Sequence, residues 1–539
     1  MKTPPSTTLF RLLSEGYVET TFERFPTRGS SAGRKEFNAE LDRPDEKTFR
    51  THEILLRETL AAVENLPEHE FAGNDWLDRR AFLSDLRTEL WSIERGAHQR
   101  NPDAWAAAAM DSVYSLAIRH GDDLTPVADA ILSRLKKIPD YLERAASMQS
   151  RPVPLWQSLA AKTCAGAPSL FDALAAPLKI TGLAGQEKID ALIAGAKCAF
   201  AAYAKVVSRL KPGLPGDFSL GKIRFEALIR ERLGWDLTAA EATAAGLALV
   251  RDIRIEMAAE AKKFSAKKSA AEIIDEHAAA WTPSRPLIEE YEIQTRSVAQ
   301  ICRQKNLVSF PPGERLLVKP VPEFMKHHFP TAAYSSPGPL DPDQTGIFWV
   351  NDLSLDKKTT AQKLAEIRQH FALKLTCAHE AYPGHHLQFC TANRHPSKLR
   401  RLFSHAIFYE GWTLWCEKMM VDFKIDQSPA ARLSQLNDSL WRANRILIDV
   451  GLQTGSMSYD DAVKHLVRHV GFTRARAEGD VNWYTSSPTV PMSYLLGRTE
   501  LLRVKHKKVD REGWSIKQFN DWILSFGTIP WRWMELSGL

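Results

Sequence analysis

The side chains with the clearest chemical potential lie in one stretch, Leu375-Thr376-Cys377-Ala378-His379-Glu380-Ala381-Tyr382-Pro383-Gly384-His385-His386-Leu387-Gln388. Neutral imidazoles and carboxylates are what zinc takes as ligands, at ~2.0–2.2 Å, and a catalytic site keeps one position open for water. In the common H-E-x-x-H motif the two histidines stand one helical turn apart. Here the next histidines follow His379 by six and seven residues. On an ideal helix the sixth position lies about 120° off the starting face, and the seventh returns to it only roughly 10.5 Å along the axis. Neither serves one metal in an unbroken helix. Pro383 answers the difficulty, because it has no N–H for the carbonyl of His379 and its ring clashes there. Gly384 then permits backbone geometry that other residues avoid. The extra residues loop out and a later histidine swings back toward His379.

A third ligand is expected from a following helix. Glu410, in Phe408-Tyr409-Glu410-Gly411-Trp412-Thr413-Leu414-Trp415-Cys416-Glu417, lies 25 residues beyond His385. That leaves room for a helix, a turn and a return on an antiparallel neighbour. Glu417 shares the helix face of Glu410 and is expected to orient a ligand histidine from behind. Glu380 directly follows a ligand but points elsewhere, which suits a general base. His370 and His405 read as ordinary helix histidines, and Trp412 and Trp415 as core.

The elements that must position these groups are mostly helical. Apolar residues recur at three- and four-residue intervals over 47–98, 123–149, 187–210 and 238–264, the period of amphipathic helices. Between 308 and 352 the texture changes. Short β-branched or aromatic runs at Leu316–Val318, Ala332–Ser335 and Ile347–Val350 stand among turn formers and predict a small sheet. Helix resumes at about Thr359. The strand from Ile347 to Asn351 is expected at a sheet edge, where an extended peptide could pair with it. The division is placed near residue 300, with 1–300 an N-terminal helical region and 301–539 the catalytic helical region carrying the sheet.

Composition narrows the function classes. The chain has 539 residues, 44% hydrophobic and 25% charged, with 71 basic against 65 acidic residues and a net charge of +6. A length of this kind splits around more than one core. No basic block dominates, which argues against nucleic acid. Cys164, Cys198, Cys302, Cys377, Cys390 and Cys416 form no C-x-x-C pair, so a zinc ribbon has no support. Low cysteine density, no signal-length apolar segment after Met1-Lys2, and no run of membrane-spanning length point to a cytoplasmic protein with no membrane partner.

With these residues in view the chain resembles the bacterial DUF885 proteins, regarded as candidate zinc metallopeptidases and related in outline to helical gluzincins such as the thimet oligopeptidase and angiotensin-converting enzyme groups. The resemblance rests on His-Glu-Ala-Tyr-Pro-Gly-His-His-Leu-Gln at 379–388 and Glu-Gly-Trp-Thr-Leu-Trp-Cys-Glu at 410–417. Gly346-Ile347-Phe348-Trp349-Val350-Asn351, Met457 to Ala462, and Pro491-Met492-Ser493-Tyr494-Leu495-Leu496-Gly497 add to it. It implies a mainly α, multi-helix, cleft-containing, metallopeptidase-like fold with a small β-sheet near the metal helix. It implies His379, His385 and Glu410 as zinc ligands, favouring His385 over His386, and Glu380 as general base. Tyr494 matches a family Tyr-x-x-Gly pattern and is the expected oxyanion donor, with Arg498 and Tyr484 behind it. Gln453 stands where many relatives have His, so a role for that His has no counterpart here. The expected activity is hydrolysis of a peptide. A non-peptide amide or ester hydrolase and a non-catalytic zinc-containing binding protein stay open as alternatives.

Overall fold

The structure is a computed structural model that describes residues 4–121, 123–322, 331–352, 360–428 and 430–538. It is mainly helical, as the periodicity requires. The expected helical stretches appear as Glu46–Glu64 and Gly73–Glu94, Ala128–Met148, Gln186–Ser208 and Ala239–Ala261. Local chemistry sets many helix starts. Thr238 with Glu241, Ser269 with Glu272 and Ser515 with Gln518 form reciprocal capping boxes, each satisfying two backbone N–H groups left free by the first turn.

The chain forms two compact units. The first holds residues 1–218 with 338–342, and the second holds 219–337 and 343–537. The sequence reading had set its division near residue 300. In the first unit the Gln186–Ser208 helix has a mean hydropathy of 1.4 over its most apolar window, enough by length and composition to cross a bilayer, where the sequence reading had expected no such segment. Its buried residues, from Ile189 through Ile193, Ala196, Phe200 and Tyr203 to Val207, follow one stripe at three- to four-residue spacing. That is the burial pattern of a helix packed on one face.

The second unit carries the small sheet. Strands β1 (Arg315–Pro320), β2 (Ala332–Ser335) and β3 (Thr345–Val350) lie in the order β1-β3-β2. β1 pairs parallel with β3, with Leu317 opposite Ile347, and β2 pairs antiparallel with it, with Tyr334 opposite Phe348. The expected edge strand is therefore the central one. Both of its sides are taken up by ladders and every residue from Thr345 to Val350 is buried, so it has no free edge for a peptide. Its sequence, apolar on both faces, is that of an interior strand. Thr359, where helix was expected to resume, lies outside the described residues; the first described helix there is Thr360–Ile367.

Candidate metal centre

The helix that carries His379 runs from Leu373 to Glu380 and stops; the next begins at His385. The break falls at the Pro383-Gly384 pair. Gly384 is required there, because a Cβ on it would overlap the carbonyl groups of Ala378 and His379. The turn is locked from the outside by Trp412, whose indole N–H donates to the Pro383 carbonyl at 2.8 Å. The consequence is a near-perpendicular pair of rings, His379 and His385, with centroids 4.9 Å apart.

Glu410 arrives from the Ala406–Asp422 helix. Its Oε2 lies 3.6 Å from Nε2 of His379 and 3.6 Å from Nε2 of His385. These separations are too long for hydrogen bonds. They match the spacing between ligand atoms around a tetrahedral zinc, which bonds of ~2.0–2.2 Å set at roughly 3.3–3.6 Å. The Glu410 Oε2 is also buried with no hydrogen-bond partner, an expensive state for a carboxylate oxygen unless a cation meets it. The residues present therefore fit a divalent metal. His379, Glu380 and His385 also hold ligand atoms within 4.8 Å of one another, so proximity alone leaves Glu380 as a rival third ligand. Glu410 stands out by its 3.6 Å approach to both Nε2 atoms and by its unpartnered Oε2.

Behind these side chains lies a further set of contacts. Glu417 Oε1 lies 2.8 Å from His379 Nδ1, the orienting contact expected from its place on the helix. A proton on Nδ1, donated to Glu417, leaves Nε2 free as a lone pair. Arg442 approaches Glu417 at 3.7 Å. Burial disfavours a charged His379, yet Glu410 and Glu417 outweigh it and lift the ring to about 10. A proton there stands in for a cation between two carboxylates. His385, by contrast, is held down to about 4 by burial. Burial pushes the Glu380 carboxyl up; His379 opposes this and Glu410 adds to it, leaving the group at about 7. That value suits a base that must take up and give back a proton near neutrality.

His386 belongs to a different network. Its Nε2 lies 2.7 Å from Glu314 Oε2 and its Nδ1 3.0 Å from the Tyr334 hydroxyl. Tyr382 donates to the same Glu314 oxygen at 2.5 Å. Gly346 on β3 leaves the room, since a Cβ there would stand 2.6 Å from His386 Nδ1. The sheet thus holds the second histidine of the pair, and the cluster takes the first. His370 is hydrogen-bonded to Tyr291 at 2.8 Å, and the His405 ring lies 3.1 Å from the Thr528 carbonyl.

Tyr494 comes from the Val490–Lys505 helix. Its ring stacks on His379 at 6.4 Å between centroids, and its hydroxyl interacts with Glu410. Arg498 donates to Ser439 instead, at 2.7 Å. Tyr484 donates to Asp480 and accepts from Arg445, both at 2.7 Å. Gln453 is wholly buried, with its side-chain nitrogen near the carbonyls of Tyr484 and Thr485. Sequence reasoning missed Glu314, Arg442 and Arg445. Arg442 and Arg445 are three residues apart on a helix of apolar period, which is a readable signal of a shared face; Glu314 offers none.

Two solved structures share the fold over nearly their whole length. One is described as a candidate lipoprotein of unknown function from Shewanella oneidensis, with 22% identity, TM-score 0.77, and coverage of 98% of this chain and 99% of that one. The other is a candidate lipoprotein from Colwellia psychrerythraea, with 14% identity, TM-score 0.77 and 99% of both chains covered. Among curated proteins none matches. The cytoplasmic expectation is corrected by these two structures, since lipoproteins are membrane-anchored rather than cytoplasmic. Cysteine density bears on redox chemistry and apolar runs on membrane spanning, and neither fixes a compartment. Residues 26–536 match the family described as bacterial protein of unknown function, DUF885, and the chain belongs to that family.

Proposed function

We propose that this protein is a zinc-dependent hydrolase that cleaves peptide bonds, with His379, His385 and Glu410 as ligands and Glu380 as general base. The observation that carries the reading is the Glu410 Oε2, buried, without a hydrogen-bond partner and 3.6 Å from both Nε2 atoms. Zinc in such a site supplies Lewis acidity, activating water and polarising a carbonyl. Glu380 is half-buried, with a carboxylate oxygen within 4.8 Å of ligand atoms on both histidines. It takes a proton from the attacking water and returns it to the leaving amine. Tyr494 offers a hydroxyl donor to the oxyanion of the tetrahedral intermediate. Glu417 keeps His379 in one tautomer and one orientation throughout.

A paired measurement tests the reading: metal content of protein purified without added metal, and hydrolysis of a mixed peptide library by the same preparation. One zinc per chain with peptide cleavage is expected. Full zinc loading with no cleavage of peptides, but turnover of small acyl amides or esters, would move the substrate class and leave the mechanism standing.

A further inference from the structure

Beside the metal cluster, within the second unit, three guanidinium groups surround one indole. The guanidinium carbons of Arg442, Arg445 and Arg476 lie 4.1, 4.0 and 5.2 Å from the centre of the Trp441 ring. Like charges at this spacing repel, and in a partly dry site the cost is not screened away. Three carboxylates, Glu417, Asp438 and Asp480, face the three guanidinium groups, but their contacts are loose. Arg442 is shared between Asp438 at 3.4 Å and Glu417 at 3.7 Å. Arg445 meets Asp480 only at 3.9 Å. Arg476 stacks on Phe472 at 3.8 Å and lies within electrostatic reach of Asp480 and Asp438, without a direct ion pair among the described residues. Arg445 is 5% exposed, and its Nη1 is buried with no hydrogen-bond partner. Arg476 reaches the surface.

The place of these loosely paired guanidinium groups matters. The Arg445 guanidinium sits 4.6 Å from the centre of the Tyr494 ring, and Tyr494 in turn reaches Glu410. The Arg445 guanidinium is therefore separated from Glu410 by one aromatic ring. A role in packing would account for the stacking of Arg445 on Tyr494 and Trp441. It would not account for the buried Arg445 Nη1 that no group in the fold meets.

We infer that Arg445 and Arg476, against Trp441 and Tyr494, form a carboxylate-binding subsite that receives the free C-terminus of a peptide whose last bond or last two bonds lie at the metal cluster. Arginine suits the task because its fork of donors matches a carboxylate. This rests on the hydrolase reading for which bond is cut, but not for the binding itself. It makes the activity that of an exopeptidase acting from the C-terminus.

The test separates binding from cleavage. Calorimetry on the full chain measures N-acetyl-Ala-Ala-Ala, its C-terminal amide, and N-acetyl-Ala-Glu-Ala amide, with and without zinc. The free acid is expected to bind at least tenfold more tightly than its amide. Arg476→Gln, at the exposed position, should erase most of that difference, and Arg445→Gln should erase the rest if the variant folds by circular dichroism. Equal binding of acid and amide, or no binding of either at millimolar concentration, overturns the subsite. Tight binding of the Glu-containing amide, lost in Arg476→Gln, overturns the C-terminal assignment in favour of an acidic side chain. Preference for the acid in a protein that hydrolyses no peptide supports the subsite while the hydrolase reading fails.

Discussion

Gly411 and Gly497 meet backbone to backbone where the Ala406–Asp422 and Val490–Lys505 helices cross. A Cβ on Gly411 would stand 2.6 Å from the Gly497 carbonyl carbon, and one on Gly497 would stand 2.9 Å from the Gly411 Cα and overlap the Ile407 carbonyl. Gly411 follows Glu410 directly, and Tyr494 is three residues before Gly497. The crossing therefore sets the distance between a proposed ligand and the proposed oxyanion donor. Gly497→Ala must push the helices apart. Overpacking of this kind costs typically ~1–3 kcal/mol. A lower melting temperature is expected, together with weaker zinc binding, because Glu410 moves with its helix. An unchanged melting temperature would show that the crossing yields without strain.

Metal binding should divide the adjacent histidines. Elemental analysis is expected to find about one zinc per chain, from three protein ligands. His379→Ala, His385→Ala and Glu410→Ala should each empty or greatly weaken the site. His386→Ala should retain most of the metal, since its ring is engaged by Glu314 and Tyr334. The reverse result for the two neighbours would mean that the second ligand has been misassigned.

Glu380→Gln should isolate the chemistry from the metal. Glutamine keeps size and hydrogen bonding but cannot accept the proton. A general base contributes ~10²–10⁴-fold, so turnover should fall by that order while zinc content and melting temperature hold. Loss of zinc instead would make Glu380 a ligand, the rival that its place within 4.8 Å of both histidines allows.

Tyr494→Phe removes only a hydroxyl. Loss of one oxyanion donor typically costs ~10²–10³ in turnover. The loss should appear in kcat with little change in KM or zinc content. A variant with normal kcat would reduce Tyr494 to a spacer between Glu410 and Arg445.

Asp449 gives the fold a pH dependence away from the cluster. It is fully buried and accepts from the backbone N–H groups of Thr489 and Met492, each at 3.3 Å. Burial pushes its carboxyl up to about 8 despite those bonds. A raised folded pKa means that the native state holds the proton more tightly than the unfolded chain, whose value is ~3.9. Its stabilising contribution is complete below that value and is lost as pH rises through about 8. The melting temperature should therefore fall between pH 5 and 8 by less in Asp449→Asn than in the parent. An identical fall in both would assign the pH dependence elsewhere.

Much of this could be read from the sequence, because the signals are local. Helical period, capping pairs and β-branched runs depend on neighbours within a few residues, and they placed the helices and all three described strands. The donor types in the His379–Gln388 segment, and the Pro383-Gly384 break that their spacing demands, are equally local. The tertiary structure decided what depends on elements distant in the chain. β3 was read as an edge, but strand order is set by which partners pack on each side, and that leaves no trace in six residues apolar on both faces. The engagement of His386 by Glu314 and Tyr334, 72 and 52 residues away, is likewise a matter of packing. Arg442 and Arg445 show a shared helix face in the sequence, but Arg476 joins them only because the Arg474–Ser486 helix returns to the same indole. A residue's chemistry belongs to its side chain, whereas its partners are a property of packing, and packing is a sum over contacts that no short stretch of sequence contains.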